Sequence, residues 1–169
     1  MLDVKLGMRT TEPRSILEKQ RKTLSKYPCQ SEFGCRIVGM QVWAQRQHRH
    51  LLFDKGWGFS LRNINAISRA LTDFFGGHPE LIKKRLLIAD FARRLAALLD
   101  WFEGQNQLSF VSSSLLFVYE GANDGFKDIA SKSELKIIDF AHVRSDNILD
   151  PGYIQGLQIV VRLFEDIRP

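Results

Sequence analysis

Lys136-Ile137-Ile138-Asp139-Phe140-Ala141-His142 is the stretch from which the rest of this chain can be read. A short apolar run ends in one acidic residue, with a small residue and a histidine close behind. A buried strand delivers a carboxylate to the mouth of a cleft in this way, and phosphoryl-transferring enzymes use such a carboxylate to hold magnesium. Upstream lies Ser112-Ser113-Ser114-Leu115-Leu116, and Asp3-Val4-Lys5-Leu6-Gly7 opens the chain.

Alternation over residues 2–6 predicts a strand that turns Asp3 and Lys5 to one face and Leu2, Val4 and Leu6 to the other. An acid and a base ~6–7 Å apart on one face can handle a hydroxyl and a phosphate together. The plain alternative is a cross-strand ion pair on a solvated face. The strands carrying Ser114 and Asp139 are expected to pair through a polar loop over 120–133, bringing a hydroxyl and a carboxylate to one end of a sheet. One Asp with one Ser is a credible half-site for magnesium, which takes few protein oxygens beside phosphate and water. The plain alternatives are a hydroxyl bonded to its neighbours and a turn residue. His142 would lie near whatever the metal binds.

Outward from these strands, Pro13 suits a first helical turn, and a helix is predicted from there to about Lys26, before Pro28. Lys19, Lys22, Thr23 and Lys26 fall at i, i+3, i+4 and i+7 and share a face. Lysines on one stripe repel unless an anion sits among them, so the stripe fits a phosphate-binding rail. Ile16, Leu17 and Leu24 remain to anchor the helix. Phe33 to Trp43 reads as β, with Gly39 as a bulge. Residues 44–59 are polar, basic and Gly-containing and read as loop. Leu61 to Phe75 and Pro79 to about Glu103 have helical spacing, the latter with a stripe that includes Ile82, Leu86, Leu87, Phe91, Leu95 and Phe102. Leu108 to Tyr119 reads as one strand region, Leu135 to Phe140 as its returning partner, and Gly152 to Ile167 as a closing helix.

The 169 residues, 44% hydrophobic and 25% charged, suit one globular domain with a real core. No apolar run approaches the roughly 18 residues of a membrane span, and no signal peptide is expected. The two cysteines, Cys29 and Cys35, are expected as reduced thiols in a nuclear or cytoplasmic protein. Most of the net charge of +5 lies in residues 9–26, a local positive field that attracts a polyanion.

The D-x-K-x-G, S-S-L-L and I-D-F-A-H elements, in this order, resemble the inositol polyphosphate kinase family, most of all its multikinase branch. Supporting stretches are Ser25-Lys26-Tyr27-Pro28, Val38-Gly39-Met40-Gln41-Val42, Trp101-Phe102-Glu103 and Gly152-Tyr153. The resemblance implies an α+β, kinase-like fold whose antiparallel sheet packs on helices, with a short substrate helix at about 13–26. It implies an ATP-dependent enzyme that phosphorylates hydroxyls of inositol polyphosphates and extends to phosphoinositide head groups. Carried onto this chain, it makes Asp3 and Lys5 the catalytic pair at the reacting hydroxyl and the transferred phosphate. Ser114 and Asp139 would bind Mg²⁺ with its ATP. His142, Lys5, Lys19, Lys22, Thr23 and Lys26 would contact substrate.

The chain departs from the pattern in three places. Lys22 and Thr23 stand where the multikinase pattern has glutamines, which bears on substrate preference. Trp57-Gly58-Phe59 stands where the family usually shows Tyr-Gly-Arg. The family motif also begins four residues before Asp3. The expectation is therefore a C-terminal lobe over 1–169 without the ATP-binding N-lobe. A monomer is expected, without stable nucleic-acid binding. Two other readings remain open: a catalytically inactive inositol phosphate-binding or interaction protein, and a basic binder of nucleic acid or phosphoinositide surfaces. The last explains the basic helix but not the Ser/Asp/His set.

Overall fold

The computed structural model describes residues 1–11, 16–44, 47–76, 81–120 and 133–168. Strand β1 (Leu2–Leu6) is the middle of a five-stranded antiparallel sheet, flanked by β2 (Cys35–Ala44) and β5 (Ser114–Tyr119), with β3 (Arg49–Phe53) and β6 (Ser133–Ile138) at the edges. Its alternation behaves as expected: Leu2, Val4 and Leu6 are buried, while Asp3 and Lys5 face the other side. The predicted bulge at Gly39 is present. Asp3 pairs with Gly39 and Val4 with Ile37, leaving Val38 as the extra residue.

Among the described residues six helices cover or extend the sheet: α1 (Leu17–Lys26), α2 (Gln30–Phe33), α3 (Lys55–Ser60), α4 (Ile64–Gly76), α5 (Leu81–Gly104) and α6 (Pro151–Asp166). The core joins the apolar sheet face to α4, α5 and α6. Phe117 of β5 stacks on Phe164 of α6 at 5.2 Å and meets Phe91 of α5 edge-on at 5.4 Å. The architecture is the expected α+β arrangement of an antiparallel sheet on helices. No helix among the described residues is long and apolar enough to cross a membrane.

Several boundaries differ from expectation. The polar stretch 44–59 contains β3 and α3 rather than loop alone. Its strand is specified by pairing with β2, Met40 opposite Phe53 through Ala44 opposite Arg49, and its helix by the Asp54 cap on the Trp57 amide. The stretch from Leu108 to Tyr119 is two strands, not one. Strand β4 (Leu108–Phe110) pairs with β7 (Val143–Ser145) in a separate two-stranded sheet, and the chain breaks at Ser112, whose φ is +65°. The returning strand ends at Ile138, and Phe140–His142 form a 3₁₀ turn. Ile82 and Leu86, expected in the core stripe, are exposed; Leu87, Ile88, Phe91, Leu95 and Phe102 carry the burial of α5. Ile16, Leu17 and Leu24, expected to anchor α1, are exposed as well. Residues 12–15 of the predicted helix start, and the 121–132 part of the predicted hairpin loop, lie outside the described residues, although β5 and β6 pair antiparallel as foreseen.

At one end of the sheet, the turn that leads into β2 meets α6 without intervening side chains. Gly34 has φ +61°, its carbonyl accepts from the Gly7 amide at 2.8 Å, and Gly156 of α6 rests against it. A Cβ on Gly156 would lie 2.0 Å from the Gly34 oxygen, whereas one on Gly104 would meet nothing within 4 Å. Gly156→Ala is therefore expected to cost about 3 kcal/mol, a drop of roughly 6–12 °C in Tm. Gly104→Ala should leave Tm nearly unchanged; thermal unfolding of the two variants side by side checks this.

Candidate functional site

Register places the polar residues in a row. Lys5 on β1 lies opposite Ser114 on β5, and Ser114 lies opposite Ile138 at the end of β6, one residue before Asp139. Each is carried by a strand whose other face is core, so the apolar alternation fixes which way the polar side chains point.

Lys5 is the hub. Its ammonium donates to the Ser112 carbonyl at 2.6 Å and to Ser112 Oγ at 3.1 Å, and lies 3.5 Å from Asp139 Oδ2. Burial lowers the pKa of Lys5, and the nearby carboxylates of Asp139 and Asp3 oppose that shift. The plain alternative, a cross-strand ion pair, does form, but with the Lys5 side chain only 13% exposed rather than on a solvated face. The direct ion pair is made to Asp139, across the sheet.

Asp139 and Ser112 both have φ +65°, in the left-handed region. Aspartate tolerates this conformation better than most residues. It lifts the Asp139 side chain out of the strand, leaving it more than half exposed. The surrounding loop is held by side chains: Ser113 Oγ donates to the Asp139 carbonyl at 3.2 Å, Ser109 Oγ to Asp146 Oδ2 at 2.7 Å, and Asp150 Oδ2 accepts from the Phe110 amide at 2.8 Å. His142 ends the 3₁₀ turn that starts just after Asp139.

Asp3 and Ser114 carry unmet polar capacity. Asp3 Oδ1 and Ser114 Oγ are both buried, and neither makes a hydrogen bond of normal geometry among the described residues. Burial raises the Asp3 pKa and the Asp139 charge adds to the effect; Ser114, Lys5 and Arg36 pull the other way but do not win. No cluster of three or more His, Cys, Asp or Glu side chains that could cage a metal occurs among the described residues. The donor set is a buried hydroxyl beside Asp3 and an exposed carboxylate. That fits a hard divalent cation that draws its remaining ligands from phosphate and water.

Helix α1 carries the residues expected to form the rail. Lys22 and Lys26 are exposed and one turn apart on it; the side chains of Lys19 and Thr23 lie outside the described residues. No hydrogen bond or ion pair joins Lys22 or Lys26 to Lys5 or Asp139. Tyr27, directly after the helix, is fully buried, donates to the Leu61 carbonyl and packs on Phe59 at 6.1 Å between ring centres. Asp3, Lys5, Ser114 and Asp139 thus come together, with His142 on the adjoining turn. Sequence reasoning missed Ser112, which anchors Lys5, and Arg36, which lies directly opposite Lys5 on β2. A charged residue between Cys35 and Ile37 was the available signal for Arg36.

Three comparisons bear on this geometry. The inositol polyphosphate kinase family profile matches residues 1–165. Human inositol polyphosphate multikinase is 33% identical over an alignment covering 73% of this chain and 29% of that protein. Mouse inositol hexakisphosphate kinase 3 is 30% identical over 99% of this chain and 47% of that protein. The crystal structure of the inositol phosphate multikinase Ipk2 from S. cerevisiae, in complex with ADP and Mn²⁺, superposes with a TM-score of 0.83 at 25% identity, covering 99% of this chain and 78% of that one. The chain spans less than half the length of these curated relatives.

The raised Asp3 pKa has a consequence for stability. A carboxyl whose folded pKa exceeds its unfolded value binds more protons when folded. Its ionisation then lowers stability as pH rises from about 3.9 through the folded pKa. Asp3→Asn is expected to raise Tm by a few degrees at pH 7, and the advantage should fade as pH falls toward the unfolded value. Thermal melts across that range test it, and a variant less stable than the parent at pH 7 would contradict the electrostatic reading of Asp3.

Proposed function

This chain belongs to the inositol polyphosphate kinase family, and from that premise we propose that it serves ATP-dependent phosphorylation of hydroxyls on inositol polyphosphates. The observation that carries the proposal is the Lys5–Asp139 contact at 3.5 Å with the buried Ser114 hydroxyl, beside Asp3, in the same row. Phosphoryl transfer is mostly positioning and charge stabilisation, and this row supplies a cation, a carboxylate and a hydroxyl on one sheet. The ADP and Mn²⁺ bound in the yeast neighbour support a nucleotide and a divalent cation as the ligands.

In the proposed mechanism Asp139 and Ser114 would hold the Mg²⁺ that accompanies ATP. The ion, when bound, neutralises phosphate charge. Lys5 stabilises the charge on the transferring phosphoryl group. Asp3 orients the attacking hydroxyl and accepts its proton at a carboxylate oxygen. Its burial makes it a stronger proton acceptor than an exposed aspartate. His142 and the lysines of α1, with Lys22 and Lys26 exposed for the purpose, fix the phosphorylated ring. The same chemistry extends to phosphoinositide head groups, whose ring and phosphates are alike.

Asp139→Ala is expected to reduce transfer of labelled γ-phosphate from ATP to inositol polyphosphates by about 10³-fold while the circular dichroism spectrum stays that of the parent. Retained full activity would remove Asp139 from the metal site. Lys22→Ala should weaken inositol polyphosphate binding and leave ATP binding unchanged; calorimetric titrations with each ligand decide, and equal losses would argue against the rail.

A further inference from the structure

Arg36 is the charged group that the mechanism above does not use. It is 7% exposed, yet its guanidinium makes no hydrogen bond and no ion pair among the described residues, and its Nε is buried and unsatisfied. Arginine stays ionised in proteins, and a buried charge without a partner is costly. The sheet aggravates the cost. Arg36 lies directly opposite Lys5 in the β1–β2 register, on the same face, and like charges in that position repel. The aromatic neighbour gathers still more positive charge. The Arg36 guanidinium sits 5.1 Å from the centre of the Phe59 ring, and the Lys55 ammonium lies 5.9 Å from the same ring.

Nearby acidity does not resolve this. Asp3 is close enough to stabilise the Arg36 charge, but it makes no ion pair with it, and Asp139 is engaged by Lys5 two strands away. Burial therefore lowers the Arg36 pKa despite Tyr27 and Asp3. What the arrangement lacks is an anion able to take several N–H donors at once. A phosphate monoester does this, and guanidinium is the side chain best shaped to grip one.

Position selects which phosphate. Across the sheet the row runs Arg36, Lys5, Ser114 and then the β6 end at Asp139. Arg36 is at the opposite end from the carboxylate assigned to the nucleotide's metal, ~10 Å from the Ser114 strand by two strand spacings. It adjoins Tyr27, the residue directly after α1. We infer that Arg36, stacked on Phe59 and paired across the sheet with Lys5, is a specificity-determining residue that binds a phosphate group of the phosphorylated acceptor. This rests on the acceptor site proposed above and assigns it a further member.

The test compares the parent chain with Arg36→Met, Arg36→Lys and Phe59→Leu. Thermal unfolding is followed without ligand and with pyrophosphate, inositol hexakisphosphate or Mg-ATP, and affinities are taken by calorimetry. Without ligand, Arg36→Met is expected to melt above the parent, because an unpartnered charge is replaced by a side chain of similar length. Its affinity for inositol hexakisphosphate should fall about 30-fold or more, with Mg-ATP binding unchanged. Arg36→Lys should restore only part of the affinity, and Phe59→Leu should lose part of it by freeing the guanidinium. Parent-like inositol hexakisphosphate binding by Arg36→Met would overturn the inference and leave the kinase reading intact. So would equal losses toward Mg-ATP, or a destabilised Arg36→Met with unchanged binding. If the parent binds no inositol polyphosphate but is stabilised by pyrophosphate through Arg36, the anion site stands and the proposed substrate class falls. If neither ligand binds, both fall.

Discussion

The two-faced strand β1 is the constraint on which the rest of this structure depends. Five residues, Leu2–Leu6, sit between β2 and β5 with three leucine or valine side chains in the core and Asp3 and Lys5 on the reverse. Because side chains alternate with a period of two, burying the apolar set compels the polar pair to the other face. A one-residue slip would exchange the two. The core therefore specifies the chemistry: the packing that excludes water from Leu2 and Leu6 also aims Lys5 at Asp139.

The polar face is electrostatically unsettled. Lys5 is half-buried and shared between a backbone carbonyl, a serine hydroxyl and a carboxylate. Among the described residues Asp3 Oδ1, Ser114 Oγ and Arg36 Nε are buried without a hydrogen bond of normal geometry, although Ser114 interacts with Asp3. Such atoms are normally satisfied in folded proteins, and their concentration on one face of one sheet marks where binding free energy is available. A ligand bearing phosphates and hydroxyls can satisfy these atoms together. Stability is lower without it, which is the usual relation between a preorganised site and the fold that carries it.

Rigidity around that face comes from contacts with little slack. Gly34 and Gly156 bring a turn and a helix into backbone contact, and Asp150 holds both the α6 start and the Phe110 amide. These fasten the β4–β7 sheet and the turn after Asp139 to the same helix that packs beneath β1 and β2. The left-handed residues Ser112 and Asp139 are tolerated within this frame, and both contact Lys5. Backbone strain at a functional site held by its surroundings is a recurring arrangement.

How much was legible in advance differs from residue to residue. The sequence by itself determined the strand periodicity of β1, the pairing partners Ser114 and Asp139, the helices α4 to α6 and the family, because these rest on local alternation and on motifs whose spacing survives without coordinates. Tertiary structure alone decided the rest. Strand β3 forms from an unpromising polar stretch because β2 offers it a ladder. The region from Leu108 to Tyr119 divides between two sheets at a left-handed serine that no periodicity announces. Arg36 is an ordinary basic residue in the sequence. Only the register with Lys5, the ring of Phe59 and the absence of a carboxylate in contact, all set by residues distant in the chain, turn it into a buried charge awaiting a partner.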